Sequence, residues 1–219
     1  MTAVRAAGVD VPAALGRDDQ GRQSIEFIPG RLAMHGPLLA LQELPRVGAL
    51  VRAIHDAASD FTPTEPPSRD VLLPALDEEL MCRNDLAPWN LIVGDRWVFI
   101  DWDGACPSTR LWDLAYSVQA FTLSDVHEPA DRAATRLAAF VCGYRADRGL
   151  RAQLPATMSL RTEAMYDLLA SSNLSGREPW GSMYTDGHGD HWSAVTKYVK
   201  RHQNVWSDAL SQDDRGGFG

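Results

Sequence analysis

Three oxygen-bearing side chains punctuate one stretch of the chain. Asp85 and Asn90 lie five positions apart in Asn84-Asp85-Leu86-Ala87-Pro88-Trp89-Asn90, and Asp101 closes the apolar run Trp97-Val98-Phe99-Ile100. Asp85 can accept the proton of a hydroxyl. The amide oxygen of Asn90 and the carboxylate of Asp101 are hard ligands that suit magnesium. A base beside two ligands for a hard cation is the equipment of metal-assisted phosphoryl transfer, in which a protein mainly positions groups and neutralises charge. Alone, an Asp and an Asn at this spacing would be an ordinary turn with a solvated acid. Weight comes from the composite of loop, strand pair, terminal Asp and capped helix.

The elements that must hold these groups follow from periodicity. Residues 91–93 and 97–100 read as two short strands around Gly94-Asp95-Arg96. Beyond Asp101 the period becomes helical. Leu111, Leu114, Ala115, Val118 and Phe121 share one face, with Ser108 or Thr109 as the cap. Ala134, Leu137, Ala138, Val141 and Tyr144 mark a second helix, and Ala164, Met165, Leu168 and Leu169 a third. Trp192, Val195, Val199, His202, Trp206 and Ala209 predict one long last helix. Upstream, Val47, Leu50, Val51, Ile54 and Ala58 predict an amphipathic helix over 46–58. Three prolines make 61–68 a loop, and a short helix is expected over 69–79. Residues 12–28 read as a hairpin turning at Asp18-Asp19-Gln20-Gly21, its second strand running to Ile28 and ended by Pro29-Gly30. A linker into the helices is expected after it.

A chain of 219 residues with 45% hydrophobic content can bury a real core in one or two domains. Its net charge of −8, with no run of Lys and Arg, argues against nucleic acid and anionic membranes as partners. Acidity suits a cationic or metal-chelated small substrate. Cys82, Cys106 and Cys142 show no ligand-type spacing and read as reduced thiols of a cytoplasmic protein. The first sixteen residues lack the apolar core of a signal peptide. Residues 213–219 look like a loose tail.

With these residues in view, the chain resembles the aminoglycoside phosphotransferase family of kinase-like enzymes, in particular its phosphotransferase and trifolitoxin-immunity-like members. The resemblance is carried by residues 84–90, by Ile100-Asp101-Trp102-Asp103-Gly104-Ala105 and by Arg110-Leu111-Trp112-Asp113-Leu114-Ala115. It extends to Leu15-Gly16, to Glu26-Phe27-Ile28-Pro29-Gly30 and, more faintly, to Gly187-His188-Gly189-Asp190. It implies an α+β, protein-kinase-like fold. Residues 1–30 would be a remnant N-lobe hairpin and hinge, and residues 31–219 a mainly helical C-lobe carrying the catalytic hairpin. Asp85 would be the catalytic base, with Asn90 and Asp101 holding Mg2+. The backbone of Glu26, Phe27 and Ile28 would meet the adenine of ATP. Arg83, Asp103 and Asp113 would support the site, Asp113 bracing the catalytic loop from the following helix. The partners implied are a nucleotide and a small hydroxylated, cationic acceptor such as an aminoglycoside-like antibiotic.

Two departures stand out. The family's usual His two residues before the base is Arg83 here. A kinase-like N-lobe also carries a Gly-rich loop and a strand-borne Lys paired with a Glu. Residues 1–11 show neither, and the first lysine is Lys197. A truncated or internally started chain, or a completing partner, would explain this, and a binding or immunity module without transfer is the rival from another class. A second enzyme class has a smaller claim. Asp101-Trp102-Asp103-Gly104 after an apolar strand also resembles the nucleophile motif of haloacid-dehalogenase-type phosphatases, which requires further parallel strands downstream. His188 and His191 read as a polar helix start rather than a metal pair, and His55 as a helix-end residue. Trp192 and Trp206 read as core, and Trp89 as a wall of the acceptor pocket.

Overall fold

The computed structural model describes residues 1–59, 61 and 71–211. In chain order these form α1 (Thr2–Ala6), β1 (Ala14–Arg17), β2 (Gln23–Ile25), β3 (Arg31–Leu32), α2 (Leu44–Ala58), β4 (Leu80–Cys82), β5 (Leu91–Val93), β6 (Trp97–Phe99) and β7 (Cys106–Ser108). The helical half follows as α3 (Arg110–Thr122), α4 (Ala130–Tyr144), α5 (Arg148–Ser175), α6 (Trp180–Met183), α7 (Gly189–Arg201) and α8 (Gln203–Ser211).

The strands make three small antiparallel units: β1 with β2, β3-β5-β6, and β4 with β7. The first hairpin is exposed at every strand position. It is tethered through its far end, where Arg96 ion-pairs with both Asp10 and Glu26. Ile28, Ile92 and Val98 bury a separate apolar cluster on the three-stranded sheet.

The main core lies among the helices. Leu44, Val47, Val51 and Ile54 put one face of α2 into it, and Phe140, Val141 and Tyr144 do the same for α4. These two helices approach at backbone distance. A Cβ on Gly48 would lie 2.1 Å from the Phe140 carbonyl oxygen, and one on Gly143 2.0 Å from that of Pro45. The long α5 is the spine of the second half, packed by α3, α6, α7 and α8. It is capped at its start by Asp147, whose side chain accepts from Leu150 N–H, and it ends at Gly176 in the left-handed region.

Several expectations are corrected. The second strand of the front hairpin stops at Ile25, so Glu26, Phe27 and Ile28 lie outside it. The expected linker contains β3, which pairs with β5 and adds an edge to the catalytic hairpin. No helix forms over 71–79, where Pro74 and a dearth of periodic apolar residues leave turns; residues 69–70 of that expected helix, most of the 61–68 loop and the tail from 213 lie outside the described residues. The last helix is two, broken at His202. Thr109, not Ser108, caps α3, its side chain accepting from Trp112 N–H at 3.1 Å. The phosphatase alternative fails. Every strand pairing is antiparallel, and among the described residues no strand follows β7.

Candidate active site

The loop after β4 is shaped by its own polar side chains. Asn84 adopts a left-handed φ of 64°, which Asn tolerates better than most residues. Its amide donates to the carbonyls of Cys82 and Cys106 at 3.1 and 3.3 Å, so the turn out of β4 is fastened to β7. Leu86 and Ala87 are fully buried and anchor the loop to the core. Pro88 then opens a single 3-10 turn, Pro88–Asn90, that folds Asn90 back onto the loop. Its Nδ2 donates to Asp85 Oδ2 at 2.7 Å and to the Asp85 carbonyl at 3.1 Å. The β5–β6 register places Leu91 opposite Phe99, and Ile100 N–H donates to the Asn90 carbonyl at 2.9 Å. This pairing sets Asp101 one residue beyond the backbone partner of Asn90.

Asp85 is held by three side chains. Tyr116 O–H and Trp89 Nε1–H donate to Oδ1 at 2.9 and 3.1 Å, and Asn90 donates to Oδ2. Burial pushes the carboxyl above the ordinary carboxylate range, while Arg83 and these three donors pull the other way. Tyr116 is itself held protonated by burial and by the neighbouring carboxylate, so its O–H remains a donor. Arg83 is 1% exposed and donates to the Ile100 carbonyl. Asp85, Asp101 and Asp113 surround its charge and offset the desolvation that lowers its pKa.

Asp101 is exposed and also left-handed, at φ 59°, and Asp103 N–H points back to its carboxylate at 3.5 Å. Both acids line a cavity of about 1490 Å³, together with Asp85 and Trp89. Tyr116, Trp192, Met165 and Arg161 line it as well. Trp192 stacks nearly parallel on Tyr116 at 6.2 Å and is buried, so it is at once core and cavity wall. Asn90 sits behind the wall, 6% exposed. His188 and His191 line the cavity as well, His188 flanking the start of α7 as the helix-start expectation has it.

The remaining expected residues are dispersed. Glu26 is bonded to Arg96 and to Ala13 N–H, Phe27 is 85% exposed, and Ile28 is buried in the sheet cluster. Asp113 does not bond to residues 83–90. Its Oδ2 lies 3.1 Å from His55 Nε2, and His55 Nδ1 lies 2.8 Å from the Tyr144 hydroxyl, all fully buried or nearly so. Its support of the loop is therefore electrostatic, through Arg83. His55 lies in the last turn of α2, as expected, and in addition links α2 to α3 and α4.

Sequence reasoning did not find Tyr116 or Arg161. Tyr116 was signalled by lying three residues after Asp113 on one helix face. Arg161 was signalled by its place four and seven residues before Met165 and Leu168, a charge within an apolar stripe.

Against known proteins, residues 69–152 match the phosphotransferase enzyme family. The trifolitoxin immunity protein of Rhizobium leguminosarum bv. trifolii is 31% identical over 113 residues, which is 48% of this chain and 43% of that protein. The chain thus spans less than half the length of that curated relative. Among solved structures, a microcompartment-associated aminopropanol kinase superposes with a TM-score of 0.65 at 15% identity. A choline/ethanolamine kinase family protein from Mesorhizobium loti does so at 0.55 and 18%. Each comparison covers 94% of this chain and 80% of the other. The fold is kinase-like, with a reduced N-lobe.

Proposed function

We propose that the protein transfers a phosphoryl group from ATP to a hydroxyl of a small molecule. The observation that carries this reading is the Asp85 carboxylate. Three donors fix its orientation at the wall of a cavity that also presents Asp101. Oδ2 accepts one close bond, from Asn90, and keeps capacity for a proton. Asp85 takes the hydroxyl proton as the acceptor oxygen bonds to phosphorus and the bond to the departing nucleoside diphosphate breaks. Its burial-raised pKa makes it a better base than a solvated carboxylate.

The donor set fits magnesium: a carboxylate at Asp101, an amide oxygen at Asn90, and no soft ligand between them. Asn90 and Asp101 would hold the ion, which neutralises charge on the phosphates when bound. Asp101 and Asp103 keep that side of the cavity acidic. Asn90 at the same time locks Asp85, so ligand and base are positioned by one side chain.

A second reading is binding without transfer. The likeness to an immunity protein favours it. Calorimetry with ATP and magnesium separates the two. Heat of binding that disappears in Asp101→Asn, and nucleotide turnover that disappears in Asp85→Asn, support the kinase. Absence of any heat at high protein concentration removes it. A cytoplasmic location follows from this reading; among the described residues no helix is long and apolar enough to cross a membrane.

A further inference from the structure

Arg161 is the unexplained charge in the cavity. It projects from α5, is 4% exposed, and lines the same cavity as Asp85 and Asp101. Among the described residues, its Nε and Nη1 are buried without a hydrogen-bond partner. Its guanidinium lies over the Tyr116 ring at 4.3 Å and over Trp112 at 5.6 Å. These aromatic faces hold the group flat but leave its in-plane N–H donors unused. Desolvation outweighs the field that Asp113 and Asp85 exert on its charge, so a buried guanidinium with unused donors stays costly until an anionic ligand completes it. Arg177, exposed on the same cavity, adds a second positive group at its edge.

Distance gives the ligand its shape. Tyr116 touches both ends of the arrangement, its hydroxyl on Asp85 and its ring under Arg161. The base and the guanidinium are therefore separated by about one aromatic side chain. A molecule bridging them carries its reacting hydroxyl and its anion only a few bonds apart. Between them the walls are apolar and aromatic: Trp89, Trp192, Met165 and Leu168.

We infer that the acceptor is a small hydroxy acid whose carboxylate pairs with Arg161 while its hydroxyl faces Asp85. This rests on the proposed phosphotransfer and sharpens its substrate class. It departs from the cationic acceptor expected from net charge in pairing the acceptor with Arg161 rather than with Asp101, Asp103 and Asp186, which line the same cavity. A nucleotide phosphate has the same anionic chemistry. Arg161 sits on α5 with its guanidinium over the Tyr116 ring, whose hydroxyl donates to Asp85, and this proximity to the base favours the acceptor.

The test uses binding as well as turnover, so that it can fail separately from the kinase reading. Hydroxy acids of three to six carbons, L-serine, L-threonine and L-homoserine among them, are titrated calorimetrically against the full chain, each beside its carboxamide. Loss of the charge-assisted pair is expected to weaken binding about tenfold or more. At least one acid should bind at least that much better than its amide. Arg161→Met should abolish the difference, and Arg161→Lys should keep part of it. Arg161→Met is expected to fold, since it removes a buried charge whose desolvation outweighs the field of Asp113 and Asp85 and keeps an apolar side chain against the Tyr116 and Trp112 rings, and its melting temperature checks this. ATP and magnesium titrated into Arg161→Met should bind as in the wild type. The inference is overturned if no acid in the panel binds, if acids and amides bind alike, if amino alcohols bind better than both, or if Arg161→Met instead weakens ATP. Absence of turnover with intact, Arg161-dependent acid binding would overturn only the transfer step.

Discussion

Arg83 donates from Nη2 to the backbone carbonyl of Ile100, seventeen residues away, and so ties the loop after β4 to the strand end that presents Asp101. Among the described residues its Nε and Nη1 are buried without a partner, and the field of Asp85, Asp101 and Asp113 offsets part of its desolvation. The arginine that stands where a histidine was expected is thus the buried counter-charge of the site. Arg83→Ala should cost about 3 kcal/mol, because breaking a buried ionic cluster strands the charges left behind. Urea unfolding at neutral pH measures it. Since Arg83 is the largest influence lowering the Asp85 pKa, the same variant should move the acid limb of the turnover profile to higher pH.

The second prediction concerns the pH dependence of stability. Burial raises the folded-state pKa of Asp85 above its unfolded value. The folded protein therefore holds the proton more tightly than the unfolded chain. That contribution is fully present below the unfolded pKa and is lost as pH rises through the folded one. Asp85→Asn should remove this dependence, flattening its part of a stability-against-pH curve measured by urea unfolding at acidic to neutral pH. The same variant should lower kcat by at least about a hundredfold if Asp85 is the base. Tyr116→Phe deletes one donor to the carboxylate and leaves the ring beneath Arg161. Its acid limb should shift upward while the high-pH plateau changes little.

Much of this site was legible because its groups are close in sequence. Asp85, Asn90 and Asp101 are joined by one loop and one hairpin, and local backbone geometry brings them together. Helix periodicity likewise located α2, α3 and α4 to within a few residues. What could not be read depends on packing between distant elements. Nothing near Arg31 announces a strand, since β3 exists only through its pairing with β5. Nothing near His55 names Asp113, 58 residues away, or Tyr144, 89 residues away, as its partners. Net charge is equally blind to place: it sums the whole surface, whereas Arg161, Asp101, Asp103 and Asp186 line one cavity.

His55 and Asp113 should show strong coupling. Both are fully buried, and among the described residues Asp113 Oδ1 has no hydrogen-bond partner and His55 supplies the one bond that the carboxylate receives. His55→Ala alone should cost about 3 kcal/mol by leaving that carboxylate bare. Asp113→Ala in the same background should then cost much less than in the wild type. A double-mutant cycle by urea unfolding is expected to give a coupling of about 1–3 kcal/mol. Additive losses would mean that the two side chains pack independently. Tyr144→Phe should cost about 1 kcal/mol, the value of one hydrogen bond whose partner stays packed.

The position of His55 depends in turn on how closely α2 lies against α4. Gly48 and Gly143 permit that approach, one from each helix. The atoms that an added methyl group would meet are backbone: the Phe140 oxygen at 2.1 Å for Gly48 and the Pro45 oxygen at 2.0 Å for Gly143. Backbone cannot rotate aside, so either alanine must push the helices apart. Each of Gly48→Ala and Gly143→Ala should therefore cost about 1–3 kcal/mol despite the better helix propensity of Ala. The first displacement makes room for the second. The double variant should thus lose less than the two single losses added together, which thermal unfolding of the four proteins would reveal. Strict additivity would show that each methyl group is accommodated locally, without separating α2 from α4.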